Sequence, residues 1–358
     1  MYYSNKNATG KAFYTSLEQM KALFNKKGCR NRFAGDSAGE LKAWQEANRK
    51  LFARLLGFDT FEPCAGEFVE LERVELESYT RVKYLLQTEE LVYVPSYMLV
   101  PNDIKPGEKR RAVIAAHGHF NNSKDSVAGV TENPGVAADM ADYNITYGVK
   151  FAEMGYVVFC PDARGFGERT EIDEQEDGKW KCTCKNMNRM GIPLGRCAIG
   201  MSVWDLVKLA DYIGTRGDCY ADAIGVAGLS GGGLQALYLA AVDERVKCAC
   251  TSGYFYGALE SLLIMNNNCD CNYVPDLWTH FDMGDIASLV APRALIIETG
   301  TRDALNGGSN LANVASQLEI AKKAYAACGA SDKIAHSTFD AGHKWGGGEV
   351  YPFFERNL

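Results

Sequence analysis

Short, mostly apolar runs limit what this chain can fold into. Ala112-Val-Ile-Ala-Ala116, Tyr156-Val-Val-Phe-Cys160, Ala223-Ile-Gly-Val-Ala227, Val246-Lys-Cys-Ala-Cys250 and Ala294-Leu-Ile-Ile-Glu298 are each five residues long, and Ile334–Thr338 is a weaker sixth. Runs of this length and content suit parallel strands buried on both faces. Helical patterns such as Val203–Ile213 separate them. Ahead of them, from Glu67 to Pro101, the apolar period is two: Phe68/Leu71/Val74/Leu76, Val82/Tyr84/Leu86 and Leu91/Tyr93/Val94/Tyr97/Leu99 predict three antiparallel strands joined by short turns. The pattern predicts an α/β fold with a mostly parallel sheet, antiparallel at its N-terminal side and covered by helices on both faces.

The Ala223 run leads into Gly228-Leu-Ser-Gly-Gly232, and then into the helix-forming stretch Leu234–Ala241. G-x-S-x-G between a strand and a helix is the context of a nucleophile elbow, whose crowded backbone demands small flanking residues. The bare motif is weak in a chain with 36 glycines, so its partners must carry the reading. The turn would lift the Ser230 hydroxyl clear of the sheet. It would also leave the Gly231 N–H facing the same space at a helix N-terminus.

Active groups in α/β sheets gather at the carboxyl ends of strands. His117-Gly-His119 follows the Ala112 run, and Gly118 permits a turn that aims the His119 backbone N–H at the elbow as a second oxyanion donor. Thr299-Gly-Thr-Arg-Asp303 follows the Ala294 run and makes Asp303 the candidate acid; Glu298, inside the strand, and Asp340, three residues before the histidine, fit less well. Gly342-His343 follows the last strand. Ser230, Asp303 and His343 thus stand in the chain order Ser…Asp…His, each at a strand end. His343 is the expected base toward Ser230, and Asp303 the group that orients it. Asp162 and Arg164 are expected to form an ion pair that holds their loop.

Residues 1–60 form an expected helical extension packed on the main domain. Ser37-x-x-Glu40 has the capping-box form, Leu41, Trp44, Leu51 and Leu55 fall near one face, and Gly57 ends the helix. Residues 61–358 form the expected main domain, with long loops 171–200 and 254–283 over the site. A net charge of −7 and a pI near 5.4 argue against a nucleic-acid partner. Met1–Asn7 lacks the apolar run of a secretory signal and no stretch approaches a membrane span, so a cytoplasmic location is expected. Cys182-x-Cys184 and Cys269-x-Cys271 lack the C-x₂-C spacing of common zinc sites, and no histidine pair stands beside them. Reduced thiols are therefore expected, with no metal and no cofactor; Cys160, Cys248 and Cys250 would pack in strands as small hydrophobes.

The chain resembles an α/β-hydrolase, and within that fold the acetyl xylan esterase branch related to dienelactone hydrolases, over roughly residues 35–350. The resemblance rests on the Gly228–Gly233 elbow, His117-Gly-His119, Pro161–Glu168, Trp204-Asp205, Cys271-Asn-Tyr-Val-Pro275, Ala291-Pro-Arg293 and Gly342-His343. It implies Ser230 as nucleophile, Asp303 and His343 as its partners, and the N–H groups of His119 and Gly231 as the oxyanion hole. Deacetylases of the branch usually carry glutamine after the serine, where this chain has Gly231. Trp180, Tyr254, Tyr273 and Trp278, in the two long loops, are the expected substrate-binding aromatics. The resemblance implies a metal-independent serine esterase acting on small acyl, above all acetyl, esters of carbohydrates such as acetylated xylo-oligosaccharides. Enzymes of this branch often assemble, so a homo-oligomer falls within the expectation. A longer-chain or aromatic carboxylesterase is an alternative. A prolyl-oligopeptidase-type peptidase fits less well, because about 110 residues before the Ala112 strand are too few for a propeller. A non-catalytic binding protein on this scaffold would be expected to have lost a triad residue, and none is missing.

Overall fold

The computed structural model describes residues 16–171 and 182–358. Among these, nine strands form one sheet in the order β1-β2-β3-β5-β4-β6-β7-β8-β9. The three leading strands are β1 (Phe68–Glu75), β2 (Tyr79–Glu89) and β3 (Val92–Pro101). They pair antiparallel, and β3 joins β5 antiparallel as well. The rest are β4 (Arg110–Ala116), β5 (Val157–Pro161), β6 (Cys219–Leu229), β7 (Val246–Ser252), β8 (Ala294–Gly300) and β9 (Ile334–Phe339), all mutually parallel. Each expected apolar run is a strand, and the α/β-hydrolase sheet is the one its periodicity predicts.

Two helices precede the sheet, α1 (Ser16–Lys27) and α2 (Ala38–Leu55). Between β4 and β5 lie α3 (Ser123–Val127), α4 (Val136–Tyr143) and α5 (Tyr147–Glu153). Then come α6 (Cys184–Gly191) and α7 (Ala198–Thr215) before β6, and α8 (Gly231–Val242) after it. Short helices α9 (Leu277–His280) and α10 (Met283–Ser288) precede β8, α11 (Leu311–Ala327) precedes β9, and α12 (Val350–Asn357) ends the chain.

Alternate side chains of the buried strands divide between two cores. Ile114, Phe159, Val226, Ala249 and Ile297 face the core under α2, α7, α8 and α11. Val113, Val158, Ala227, Cys250 and Ile296 face the core under α5 and α12. A period of two with apolar residues on both sides leaves no solvated face, which is why these strands read as continuous apolar runs. Cys160, Cys248 and Cys250 sit fully buried in the second core, packed as small hydrophobes.

The Ser37 and Glu40 side chains cap the N-terminus of α2 reciprocally. The apolar face of α2 enters the larger core: Phe52 meets Tyr238 of α8 and Phe281 edge-on, at ring separations of 5.0 and 5.9 Å. The Gln45 amide donates to the carbonyl oxygens of Ser288 and Ala291. Helix α8 is buried on every side between sheet and helices, so its sequence is apolar all round, as a fully enclosed helix requires.

Candidate active site

The turn from β6 to α8 holds Ser230 at φ 61°, ψ −123°. For a residue with a Cβ this conformation costs on the order of 1–3 kcal/mol, and it persists only where neighbours enforce it. The Ser230 N–H donates to the Ser252 carbonyl (2.8 Å), and its own carbonyl accepts from Leu234 (3.0 Å). Glycine is required on both sides of it. A Cβ at Gly228 would meet the Gly232 and Ala116 carbonyls, and a Cβ at Gly232 would run into the Ala116 carbonyl of the neighbouring strand.

His343 lies on the loop after β9 and over the end of β7, where a Cβ on Gly253 would come within 3.1 Å of its ring and 3.0 Å of Leu229, the residue before the serine. Backbone bonds Thr301→Phe339 and Arg302→Ala341 pin that loop to the end of β8. The His343 Nδ1–H thereby reaches Asp303 Oδ2 at 2.6 Å. The other Asp303 oxygen accepts the Leu305 N–H (2.9 Å), so both carboxylate oxygens are engaged and the group is buried. About a quarter of the His343 side chain stays open to solvent. Ser230 Oγ and His343 are not hydrogen-bonded to each other in this arrangement, a link that commonly tightens only in the Michaelis complex.

The two residues weighed as substitute acids are otherwise engaged. Glu298 is buried, accepts from Ser252 Oγ (2.7 Å) and from the N–H groups of Gly346 (3.0 Å) and Gly347 (2.6 Å), and so braces the chain just past His343. Burial raises its carboxyl above the usual range. Asp340 is largely exposed and pairs with Arg302 at 2.9 Å.

Gly118 and His119 face the elbow: a Cβ on Gly231 would lie 3.7 Å from Gly118 Cα and 2.6 Å from His119 Nδ1. Among the described residues, neither the His119 nor the Gly231 N–H has an acceptor. Two free donors beside a serine hydroxyl can bind an oxyanion. His117 is a fixed element of the same loop. Its Nδ1–H donates to the Gly118 carbonyl (2.7 Å) and its Nε2 accepts from the Ala163 N–H (2.9 Å), while burial lowers its pKa.

Below this loop a buried ionic network replaces the expected Asp162–Arg164 pair. Asp162 takes the Lys124 ammonium (2.8 Å), whereas Arg164 grips Asp205 of α7 with two bonds (2.9 and 2.8 Å) and also meets Glu89 (2.5 Å). Arg169 adds a bond to Asp205 (2.8 Å), and Thr88 donates to it at 2.6 Å. Burial alone would raise the Asp205 carboxyl, but Arg164 and Arg169 outweigh it and hold it well below the usual range. Asp162 and Arg164, both on the loop just past β5, thus take different partners although they are close neighbours in sequence.

The aromatics expected to wall the site behave differently. Tyr254 is buried, with its hydroxyl on Asn272 (2.6 Å). Tyr273 and Trp278 pack edge-on at 5.8 Å and line an apolar groove against Leu17, Met20 and Phe24 of α1. Helix α1 packs against the second long loop, with Phe24 edge-on to Trp278 at 6.4 Å. Trp180 lies outside the described residues.

The two long loops instead meet each other. The Asn188 amide of α6 donates to the Asp270 and Tyr273 carbonyls, and the Cys182 and Cys269 sulfurs are 3.8 Å apart. Cys184, Cys269, Cys271 and the imidazole of His119 converge, with one ligand atom from each lying within 4.8 Å of the others. Hydrogen bonds from Cys184 and Cys269, together with the His119 ring, hold the Cys271 thiol well below the ordinary range. The two Cys-x-Cys pairs gave no zinc spacing when each was taken alone, so sequence reasoning missed this cluster. The usable signal was that both pairs lie in the loops assigned to the site.

The chain is 29% identical over 294 residues to YtaP of Bacillus subtilis (strain 168), a protein named as a hydrolase, covering 79% of this chain and 89% of that one. A Bacteroides fragilis structure assigned as an acetyl xylan esterase superposes with a TM-score of 0.78 at 20% identity, over 93% of this chain and 84% of that chain. A glucuronoyl esterase from Solibacter usitatus gives 0.63 at 13% identity, over 88% and 92%. At these identities the structural likeness is one of fold. Residues 9–339 match the Abhydrolase family, a span that includes the Ser230 elbow and Asp303. By that match and by its sheet, the chain belongs to the Abhydrolase family and has the α/β-hydrolase fold.

Proposed function

We propose that this protein is a serine esterase that cleaves small acyl esters of carbohydrates, acetyl esters first among them. The observation that carries the reading is the strained Ser230 turn set beside the 2.6 Å Asp303–His343 pair. In this reading His343 takes the Ser230 proton as the hydroxyl oxygen attacks the ester carbonyl. The carbonyl oxygen becomes an oxyanion held by the His119 and Gly231 N–H groups, and His343 then returns the proton to the leaving sugar hydroxyl. Water, deprotonated by His343, attacks the acyl-serine and releases the acid. Asp303 fixes the ring tautomer and stabilises the imidazolium.

The carbohydrate half draws its support from neighbours of the same fold named acetyl xylan esterase and glucuronoyl esterase. Those two names place the sugar on opposite sides of the ester bond, as the alcohol in the first and as the acid in the second. Initial rates on p-nitrophenyl esters from acetyl to octanoyl, with acetylated xylo-oligosaccharide and methyl glucuronate run beside them, separate the cases. A steep preference for acetyl together with release of acetate from the oligosaccharide is expected. Turnover of the octanoyl ester or of methyl glucuronate alone would retain the serine mechanism and replace the substrate.

A further inference from the structure

We propose that His119 Nε2 and the sulfurs of Cys184, Cys269 and Cys271 are the ligands of a tetrahedral zinc site that fastens the oxyanion loop to both long loops. Its geometry is already close to that of a bound ion. A metal–sulfur bond of about 2.3 Å in a tetrahedron puts ligand atoms roughly 3.8 Å apart. Here the four ligand atoms lie within 4.8 Å of one another, and Cys271 Sγ is 3.3 Å from His119 Nε2. Three thiolates and an imidazole form a soft, borderline donor set that favours Zn²⁺ over Mg²⁺ or Ca²⁺. Cys184 and Cys271 are buried.

The surroundings are those of a supported site. The Asn272 amide, held by the Tyr254 hydroxyl at 2.6 Å, points an N–H at Cys271 Sγ from 3.9 Å, the kind of second partner that orients a ligating sulfur. Phe166 packs edge-on against the His119 ring at 5.0 Å. Gly231 also fits this role: any side chain there would start 2.6 Å from His119 Nδ1, so the glycine after the serine clears the space the imidazole needs to reach the sulfurs. That is a physical reason for the departure from the branch's usual glutamine.

Four protein ligands close the coordination sphere, so the site is structural. Its ligands come from three separate segments: the loop after β4, the start of α6, and the turn around residues 270–272. A bound ion would therefore fix the His119 backbone through its own side chain. This consequence for catalysis rests on the esterase reading; the metal site itself does not.

The test is metal analysis of the full chain, purified under reducing conditions without chelator after growth with added zinc. About one zinc per chain is expected, with an X-ray absorption shell of three sulfurs near 2.3 Å and one nitrogen near 2.0 Å. Cys271→Ser should lower zinc content at least about tenfold, the lower end of what losing even a supporting partner costs. Cys328→Ser, away from the cluster, should leave it unchanged. Because Cys271→Ser could fail to fold, the absorption shell of the unaltered protein is the deciding measurement. Metal-free protein with every thiol titratable after zinc is supplied, an oxygen-dominated shell, or a Cys182–Cys269 disulfide in its place would each overturn the proposal. Zinc bound as expected in a protein that never labels with a serine-directed fluorophosphonate would uphold this site and discard the esterase reading.

Discussion

Ser230 and Asp303 are where single atoms decide the outcome. Ser230→Ala removes the attacking oxygen without filling or emptying the core, so the fold should hold while kcat falls by about 10⁶. Loss of fluorophosphonate labelling, read against an unchanged melting temperature, checks it. Asp303→Asn keeps an oxygen for the Leu305 N–H but loses the charge that orients His343, and kcat should fall by about 10⁴. Asp340→Asn, at an exposed pair with Arg302, should change kcat less than about twofold, because such pairs contribute little. The reverse ranking would move the acid to Asp340.

At the scale of elements, the β6–α8 turn works because two backbones touch. Helix α8 begins directly over the end of β4, and Gly232 is the contact point with the Ala116 carbonyl. Gly232→Ala forces one element off the other. It should destabilise the protein by about 1–3 kcal/mol, the range for overpacking, and lower kcat more than it raises KM because the serine is displaced. Urea midpoints and steady-state kinetics on the same preparation measure both; equal stability and rate would show that the turn tolerates a side chain. The Asn188 and Tyr273 contact between the two long loops shows the same principle. Among the described residues, the two loops contact each other.

Across the whole molecule, the buried network around Asp205 links β2, the loop after β5 and α7. Its folded-state pKa lies below the unfolded value of about 3.9, so at low pH the unfolded chain takes up the proton first. The contribution of Asp205 to stability is therefore fully present above about pH 4 and is lost as pH falls below it. Urea midpoints from pH 7 to pH 3 should show that decline, and Asp205→Asn should flatten it. The variant should also cost about 3–5 kcal/mol at neutral pH, since it takes the carboxylate from buried Arg169 and leaves Arg164 with Glu89 alone. A variant as stable as the parent at pH 7 would show the network to be dispensable.

Sequence alone determined whatever depends on local period and chain order. Apolar runs buried on both faces admit little but parallel strands, so Ala112–Ala116 and Val246–Cys250 could be placed without a structure. The glycines around Ser230 announce a turn that no other residue could make. The Asp303 and His343 positions followed from strand ends, a rule of topology. Tertiary structure alone decided which side chains meet across loops. Asp162 and Arg164 are close neighbours in sequence, both just past the end of β5, yet they bind Lys124 and Asp205, brought to them from distant parts of the chain. Tyr273 and Trp278 share a groove with Leu17, Met20 and Phe24 of α1, a meeting that no local pattern registers. His119, Cys184, Cys269 and Cys271 converge from three segments up to 152 positions apart, and no spacing rule within one segment registers that. Periodicity is a property of one stretch of chain, whereas a ligand set is a property of the space between stretches.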